Sequence, residues 1–233
     1  MPECDPKMAA ARGALELLSG MRVNLLGVGT GSTVSRFIGL LRGSPVKPRV
    51  VAASSIDSAV KLAEAGYQPV HPSVVSRLDA YVDGADEVDP EGRLLKGRGA
   101  ALLGEKILAA ASRVNVFIVT EEKLVEKLGS KKPVPVEVVR DALSLVTRLI
   151  RERYPEAAPR RSTGKDGPVV SDWGGIIVEV PTGPMRDPEE VDRWLHSIPG
   201  VVETGIFHGY TDYVVVGRSD CGWDVVRYER SLL

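Results

Sequence analysis

Apolar residues recur along this chain in two alternating rhythms, one of period 3.6 and one of short continuous runs. Met8, Ala11, Leu15 and Leu18 share a helical face, and Gly20 follows as a stop. Val23 to Val28 reads as a buried strand. Thr30 to Thr33 then turns into a helix whose apolar positions Val34, Phe37, Ile38 and Leu41 recur at helical spacing, ended by Gly43. Val50 to Ala53 is a short strand, and Ser54-Ser55 can cap a helix in which Ile56, Ala59, Val60 and Ala63 share a face before Gly66. Leu78 to Val82 is a strand that ends directly at Asp83. Ala100 to Ala111 is helical, Val114 to Val119 is a strand, and Glu121 to Leu128 is a short helix closed by Gly129. Alternation of this kind predicts a largely parallel sheet with helices on both faces.

Lys131-Lys132-Pro133 marks a change of style. Val134 to Val138 is a strand and Arg140 to Arg153 a helix. Two strands follow, near Val169-Val170 and at Ile176 to Val180, then a helix from Pro188 to Ser197 with Val191, Trp194 and Leu195 inward. Val201 to Phe207 closes the set. The order β-α-β-β-α-β is that of a ferredoxin-like unit. Tyr213 to Gly217 and Val225 to Tyr228 read as strands returning to the first domain. The fold class is therefore α/β: a doubly wound, largely parallel sheet domain (residues 1–131 plus 208–233) with an inserted ferredoxin-like α+β domain (132–207).

Composition narrows the function. A length of 233 residues holds one large domain or two smaller ones, and 43% hydrophobic content supports a real core. The formal net charge of -1 supplies no global field for nucleic acid or an anionic membrane. No apolar run is long enough to span a bilayer, and Met1 to Pro6 lacks the charged and apolar regions of a signal peptide. Cys4 and Cys221 stand at opposite ends, which argues for a reducing compartment and against a disulfide framework. His71, His196 and His208 are scattered, with no pair at helical metal-ligand spacing. Asn24, Asn115 and Gln68 are the only amide side chains, a scarcity that resembles thermophile composition.

The chemistry concentrates in a few segments. Gly27-Val28-Gly29-Thr30-Gly31-Ser32-Thr33 lies between a strand and a helix, where glycines, hydroxyls and the helix N-terminus suit an anion. It reads either as a phosphate cradle or as a ligand-free tight turn. Its third glycine comes too early for a dinucleotide fingerprint, and there is no Gly-Lys-Ser/Thr ending of a P-loop. Ser54-Ser55 is either an N-cap or a sugar and phosphate contact at a strand's carboxyl end. Asp83 and Asp86 can converge on one ligand, whereas Glu87 and Asp89 read as solvent-facing, the latter in a type I turn with Pro90, Glu91 and Gly92. Carboxylates this close, with Lys96 ahead of Gly97-Arg98-Gly99, suit proton shuttling on a small anionic substrate. Glu105, Lys106 and Lys123 are functional groups or ordinary solvated positions.

These segments occur in an order that closely resembles ribose-5-phosphate isomerase of the A type. The blocks are Gly27 to Thr33, Ser54-Ser55, Asp83-Gly84-Ala85-Asp86-Glu87, and Lys96-Gly97-Arg98-Gly99-Ala100-Ala101-Leu102 with Glu105-Lys106. Pro133 to Val138 and Pro199 to Phe207 complete them. The resemblance runs from about residue 8 to 217. It implies interconversion of ribose 5-phosphate and ribulose 5-phosphate without metal or organic cofactor, in a homodimer or homotetramer. It also implies that Thr30, Gly31, Ser32, Thr33, Asp83, Gly84, Ala85, Asp86, Lys96, Gly97, Arg98, Gly99 and Lys123 line the substrate site. Glu105 matches the family's proton-transferring base, with Lys96, Asp83 and Asp86 as the other catalytic groups.

Two departures stand out. Arg98 replaces the middle residue of a turn that is usually all glycine, so its side chain either points away from the substrate or adds a contact. The stretch from Thr163-Gly164-Lys165 to Gly175 lacks the family's Asn-Gly-Asn turn. A phosphate loop also serves sugar-phosphate sensors related to transcription regulators. This chain carries no helix-turn-helix segment beside it and retains Glu105, which places that reading second. The chemistry and the charge together predict a cytoplasmic enzyme that binds neither nucleic acid nor membrane.

Overall fold

The structure is a computed structural model describing residues 4–164 and 166–230, so Met1 to Glu3, Lys165 and Ser231 to Leu233 lie outside the described residues. In chain order the elements begin α1 (Pro6–Ser19), β1 (Leu25–Val28), α2 (Ser32–Leu41), β2 (Val50–Ala53), α3 (Ile56–Glu64) and β3 (Pro69–Val70). They continue with β4 (Ala80–Gly84), β5 (Glu87–Val88), β6 (Leu94–Leu95), α4 (Leu102–Ala111) and β7 (Asn115–Thr120). Next come β8 (Val134–Val138), α5 (Leu143–Arg151), β9 (Ala158–Pro159), β10 (Ile176–Val180) and α6 (Pro188–His196). The last are β11 (Val201–Thr204), β12 (Ile206–Phe207), β13 (Tyr213–Gly217) and β14 (Trp223–Arg227). The chain divides into two compact units, residues 1–85, 104–124 and 209–233, and residues 86–103 and 125–208.

The first unit is built on a seven-stranded sheet of order β14-β13-β7-β4-β1-β2-β3, parallel except for β14. β7 is buried along its whole length, as a central parallel strand covered on both faces must be. Val34, Phe37, Ile38 and Leu41 of α2 enter the core as their spacing predicts, beside Ala10, Ala14 and Leu18 of α1. α3 departs from its expected face. It buries Ser58 and Leu62 and leaves Ile56 and Val60 exposed, because its serine side takes part in a hydroxyl network at the end of the sheet.

The second unit holds an antiparallel sheet of order β11-β8-β10-β9 with α5 and α6, which is the ferredoxin-like β-α-β-β-α-β arrangement. Val134, Val136 and Val138 alternate inward on β8 and meet Val178 and Val180 of β10, Val146 and Ile150 of α5, and Leu195 of α6. Its second strand is Ala158–Pro159; the expected strand at Val169-Val170 is reduced to a single bridge between Val170 and Ile176. The expected strand from Val201 to Phe207 splits in two, β12 joining β6 and β5 in a small separate sheet. That pairing draws residues 86–103 into this unit, beyond the expected 132–207. The expected helix from Glu121 to Leu128 is only a 3-10 turn over Glu121–Lys123, since Val125 N–H bonds Val88 O instead of extending a helix.

Two sequence expectations are overturned here. Glu87 and Asp89 do not face solvent: both are buried, Glu87 accepting the N–H groups of Gly129, Lys131 and Lys132, and Asp89 those of Glu91 and Arg93 with the Arg93 guanidinium. The expected turn at Asp89 to Gly92 is present, closed by Gly92 N–H to Asp89 O at 3.0 Å. The cysteines form a disulfide, with Cα atoms 5.5 Å apart. β13 pairs with β7 and α1 packs on β13, so the two ends of the sequence meet in one unit despite a separation of 217 residues. The disulfide overturns the expectation of unpaired thiols and with it the argument for a reducing compartment. Closing so long a loop restricts the unfolded chain strongly, and Cys4→Ser is expected to cost about 2–4 kcal/mol in guanidinium unfolding. Reductant should lower the wild type to the level of the variant and leave the variant unchanged.

Candidate active site

The strand order of the first unit reverses between β1 and β4, with β2 and β3 to one side and β7 and β13 to the other. Loops leaving the carboxyl ends of two such strands diverge and open a crevice, the usual ligand position in this architecture. Here those loops are Gly29 to Gly31 and the end of β4 at Asp83 and Gly84. Asp83 is fully buried. Its Oδ1 accepts from Thr30 N at 3.0 Å and Gly84 N at 2.7 Å, and its Oδ2 from the Tyr81 hydroxyl. A Cβ on Gly29 would lie 1.9 Å from Asp83 Cγ, so only glycine lets the two loops approach.

Tyr81 was not a sequence candidate. Residues two apart on a strand share a face, which is the one sequence signal that ties it to Asp83. Its burial, then the charges of Asp83 and Glu105, push the phenol well above its usual range, so it stays a hydrogen-bond donor. Glu105 itself sits in the first turn of α4 and is 2% exposed; Lys106 beside it is 8% exposed. The solvated-face reading of that pair is thereby excluded.

Thr30 is also the centre of the hydroxyl network. Its Oγ1 lies 3.0 Å from Ser54 Oγ and donates to Ser55 Oγ at 2.7 Å. Ser55 caps α3 by accepting from Ser58 N at 3.1 Å, and Ser58 donates to Gly29 O. The N-cap reading holds for Ser55, and both hydroxyls contact Thr30 of the loop. Gly31 takes a φ of 126° as the N-cap of α2 and contributes no side chain, so Ser32 and Thr33 present an open first turn. Amide N–H groups at such an end have no intrahelical acceptor and attract an anion. Lys123 follows β7 in the same unit, half-buried, 3.4 Å from Glu122.

The remaining candidates lie in the second unit. Gly97 adopts a φ of 107°, turning the chain after Lys96. Lys96 is 2% exposed; its N–H donates to Gly205 O at 2.9 Å and its ammonium stands 4.8 Å from the centre of the Phe207 ring. Asp86 accepts from Arg98 N at 3.2 Å. The Arg98 side chain extends into solvent with its Nε 3.9 Å from Asp86. Gly99 is exposed. Arg160, which sequence reasoning missed, donates from Nη1 to the carbonyls of Gly97 at 3.2 Å and Arg98 at 2.9 Å, while its Nε is paired with Glu179. It reaches the turn from more than sixty positions away, and no local pattern announces it. Each unit thus holds a buried ionisable side chain next to a glycine turn, Asp83 beside Gly29 in the first and Lys96 beside Gly97 in the second.

Comparison with known proteins gives a consistent result. Residues 50–221 match the model of the family described as ribose 5-phosphate isomerase A (phosphoriboisomerase A). Ribose-5-phosphate isomerase A of Aeropyrum pernix is 49% identical over 229 residues, covering 97% of both chains. A D-ribose-5-phosphate isomerase solved in complex with phospho-erythronic acid superposes with a TM-score of 0.87 at 34% identity, covering 97% of this chain and 100% of its own. The ribose 5-phosphate isomerase A of Methanocaldococcus jannaschii gives 0.86 at 33%, covering 96% and 98%.

Two substitutions test this geometry. Asp83→Asn keeps the size but points an amide N–H₂ at donors, so it should cost about 1–3 kcal/mol in denaturant unfolding. Retained wild-type stability would show that the Asp83 contacts do not hold the loop. Arg160→Ala leaves the two turn carbonyls without their guanidinium. Amide exchange at Gly97 to Ala100 should speed up at least about tenfold, the effect of losing one charge-assisted bond; unchanged protection there would remove Arg160 from its role as the brace of the turn.

Proposed function

The chain belongs to the ribose 5-phosphate isomerase A family, and we propose that Glu105 is the base through which it interconverts ribose 5-phosphate and ribulose 5-phosphate. This aldose-ketose isomerisation lies in the non-oxidative branch of the pentose phosphate pathway. It requires a proton to leave C2 of the open-chain aldose and return to C1 through an enediolate. Glu105 is a buried carboxylate in the same unit as the Asp83–Tyr81 pair, and this observation carries the assignment. A base shielded from water keeps the abstracted proton near the carbon that must receive it.

In this reading Lys96 supplies positive charge to the oxygen that becomes anionic in the enediolate. The ordered sequence blocks that include Lys96, Gly97, Arg98 and Gly99 support its part in the reaction, as they do that of Asp86. Asp83 acts through Thr30: it fixes the loop, and Thr30, Gly31, Ser32 and Thr33 with Lys123 receive the phosphate, an assignment supported by the open first turn of α2. Gly84 and Ala85 contribute backbone at the end of β4. The solved relative that carries phospho-erythronic acid supports a site for a phosphorylated sugar acid. Phosphate binding then orients the reacting carbons, binding energy that is realised in turnover.

The reaction needs no metal or organic cofactor in this proposal. The active form is a homodimer or homotetramer, for which the exposed Ile56, Val60 and Val74 supply apolar surface. Sugar phosphates are metabolised in the cytoplasm, and we place the enzyme there; no helix among the described residues is long and apolar enough to cross a membrane.

Glu105→Gln keeps the shape of the side chain but cannot accept a proton. Turnover of ribose 5-phosphate should fall by at least about a thousandfold, within the range of a lost general base, while binding persists. Near wild-type turnover would remove Glu105 from the role. Lys96→Ala is expected to lower kcat more than it raises KM; a loss confined to KM would make Lys96 a ground-state anchor. Activity should survive exhaustive chelation, and a loss reversed by magnesium or manganese would contradict the cofactor-free reaction.

A further inference from the structure

His196 and His208 follow no metal-motif spacing in the sequence, yet the second unit gathers both around Asp192. α6 carries Asp192 and His196 one turn apart, β11 brings Glu203 across from them, and His208 follows β12. We propose that Asp192, His196 and Glu203 form a binding site for a divalent first-row transition metal ion such as zinc or cobalt, separate from the residues assigned to isomerisation.

Three observations converge on this site. One donor atom from each of the three side chains lies within 4.8 Å of the other two, a span that an ion with bonds of about 2.0–2.2 Å can close with small side-chain movements. Both ring nitrogens of His196 face oxygens of the cluster: Nδ1 stands 3.0 Å from the Asp192 carbonyl and 3.3 Å from Asp192 Oδ1, and Nε2 3.0 Å from Glu203 Oε1. Imidazoles that bind metals characteristically donate the other ring N–H to a carbonyl or carboxylate, which fixes the tautomer.

The carboxylates are positioned as well. Asp192 Oδ1 accepts from the Thr204 hydroxyl, Asp192 Oδ2 lies 3.3 Å from His208 Nε2, and Glu203 Oε1 accepts from Thr204 N at 2.8 Å. These partners supply the outer layer of hydrogen bonds that orients metal ligands. The two carboxylates are largely buried while the His196 side chain is 36% exposed, so the cluster has an entry path from solvent. One imidazole with two carboxylates suits zinc, cobalt or nickel better than the all-oxygen shells of calcium or magnesium.

In the metal-free protein the His196 ring is held by Asp192 and Glu203, and the ion takes the place of these contacts. An ion in place would tie α6 to β11 and stabilise the second unit by binding only its folded form.

The test is cobalt(II) titration of the chelator-stripped full chain at pH 8, read by visible absorption and by the thermal midpoint. The cysteines are joined in a disulfide and offer no thiolate to compete. The proposal expects one cobalt per chain, a d–d band and a raised midpoint. His196→Ala and Glu203→Gln should each weaken binding by at least about tenfold, the size of effect that loss of a ligand or its partner produces, with isomerase turnover preserved as proof of folding. Absence of binding to the wild type, or binding by both variants as tight as the wild type's, overturns it. Should neither variant fold, X-ray absorption at the cobalt edge of the wild type decides: an imidazole in the first shell supports the site, and an all-oxygen shell refutes it.

Discussion

A buried carboxylate at the turning point of the parallel sheet governs the first unit. Asp83 accepts from Thr30 N, Gly84 N and the Tyr81 hydroxyl, and Gly29 leaves the space it needs. Leaving such a charge without its donors would cost several kcal/mol, so the loops after β1 and β4 are tied to one arrangement. The consequences extend outward from Thr30. Its hydroxyl meets Ser54 and Ser55, Ser55 starts α3, and Ser58 returns to Gly29. The inward serines in turn leave Ile56 and Val60 outside. A local electrostatic requirement has thus reversed the face that hydrophobicity alone assigns to α3.

The acidic run from Asp83 to Asp89 illustrates the same physics. Four carboxylates in seven positions invite a picture of mutual repulsion. Instead, each is taken by its own donors: Asp83 by the loops of the sheet, Asp86 by Arg98 N, Glu87 by three backbone N–H groups, and Asp89 by its own turn with Arg93. Bonds from backbone N–H groups to ionised oxygens are among the stronger hydrogen bonds, and they hold the chain on both sides of Ala85. Glu105 and Lys96, to which we assign the proton transfer and its charge stabilisation, are buried without belonging to this run.

Sequence patterns reveal what local periodicity can encode. The parallel sheet, α2 with its four inward residues, β8 with its alternating valines and the order of the ferredoxin-like unit are all of this kind, whereas the family is legible through the resemblance of its ordered motif blocks. Contacts between distant segments are not of this kind. Arg160 braces the turn after Lys96 across the second unit, and residues 86–103 join that unit because β6 pairs with β12. Cys4 and Cys221 meet because the last strands return to the sheet beside α1. Glu87 and Asp89 look exposed by composition, since charged residues usually are; only the donors supplied by residues 129–132 and by Arg93 make their burial tolerable.

One carboxylate must move the proton between C1 and C2, and we assign that step to Glu105. An epoxide analogue of the sugar phosphate tests this directly, because the base poised at the reacting carbons opens the ring as a nucleophile and is left esterified. After inactivation and proteolysis, peptide mass mapping should find one label per chain, on Glu105, with ribose 5-phosphate protecting against it. A label on Asp83, Asp86 or any other carboxylate, with Glu105 unmodified, would contradict the account.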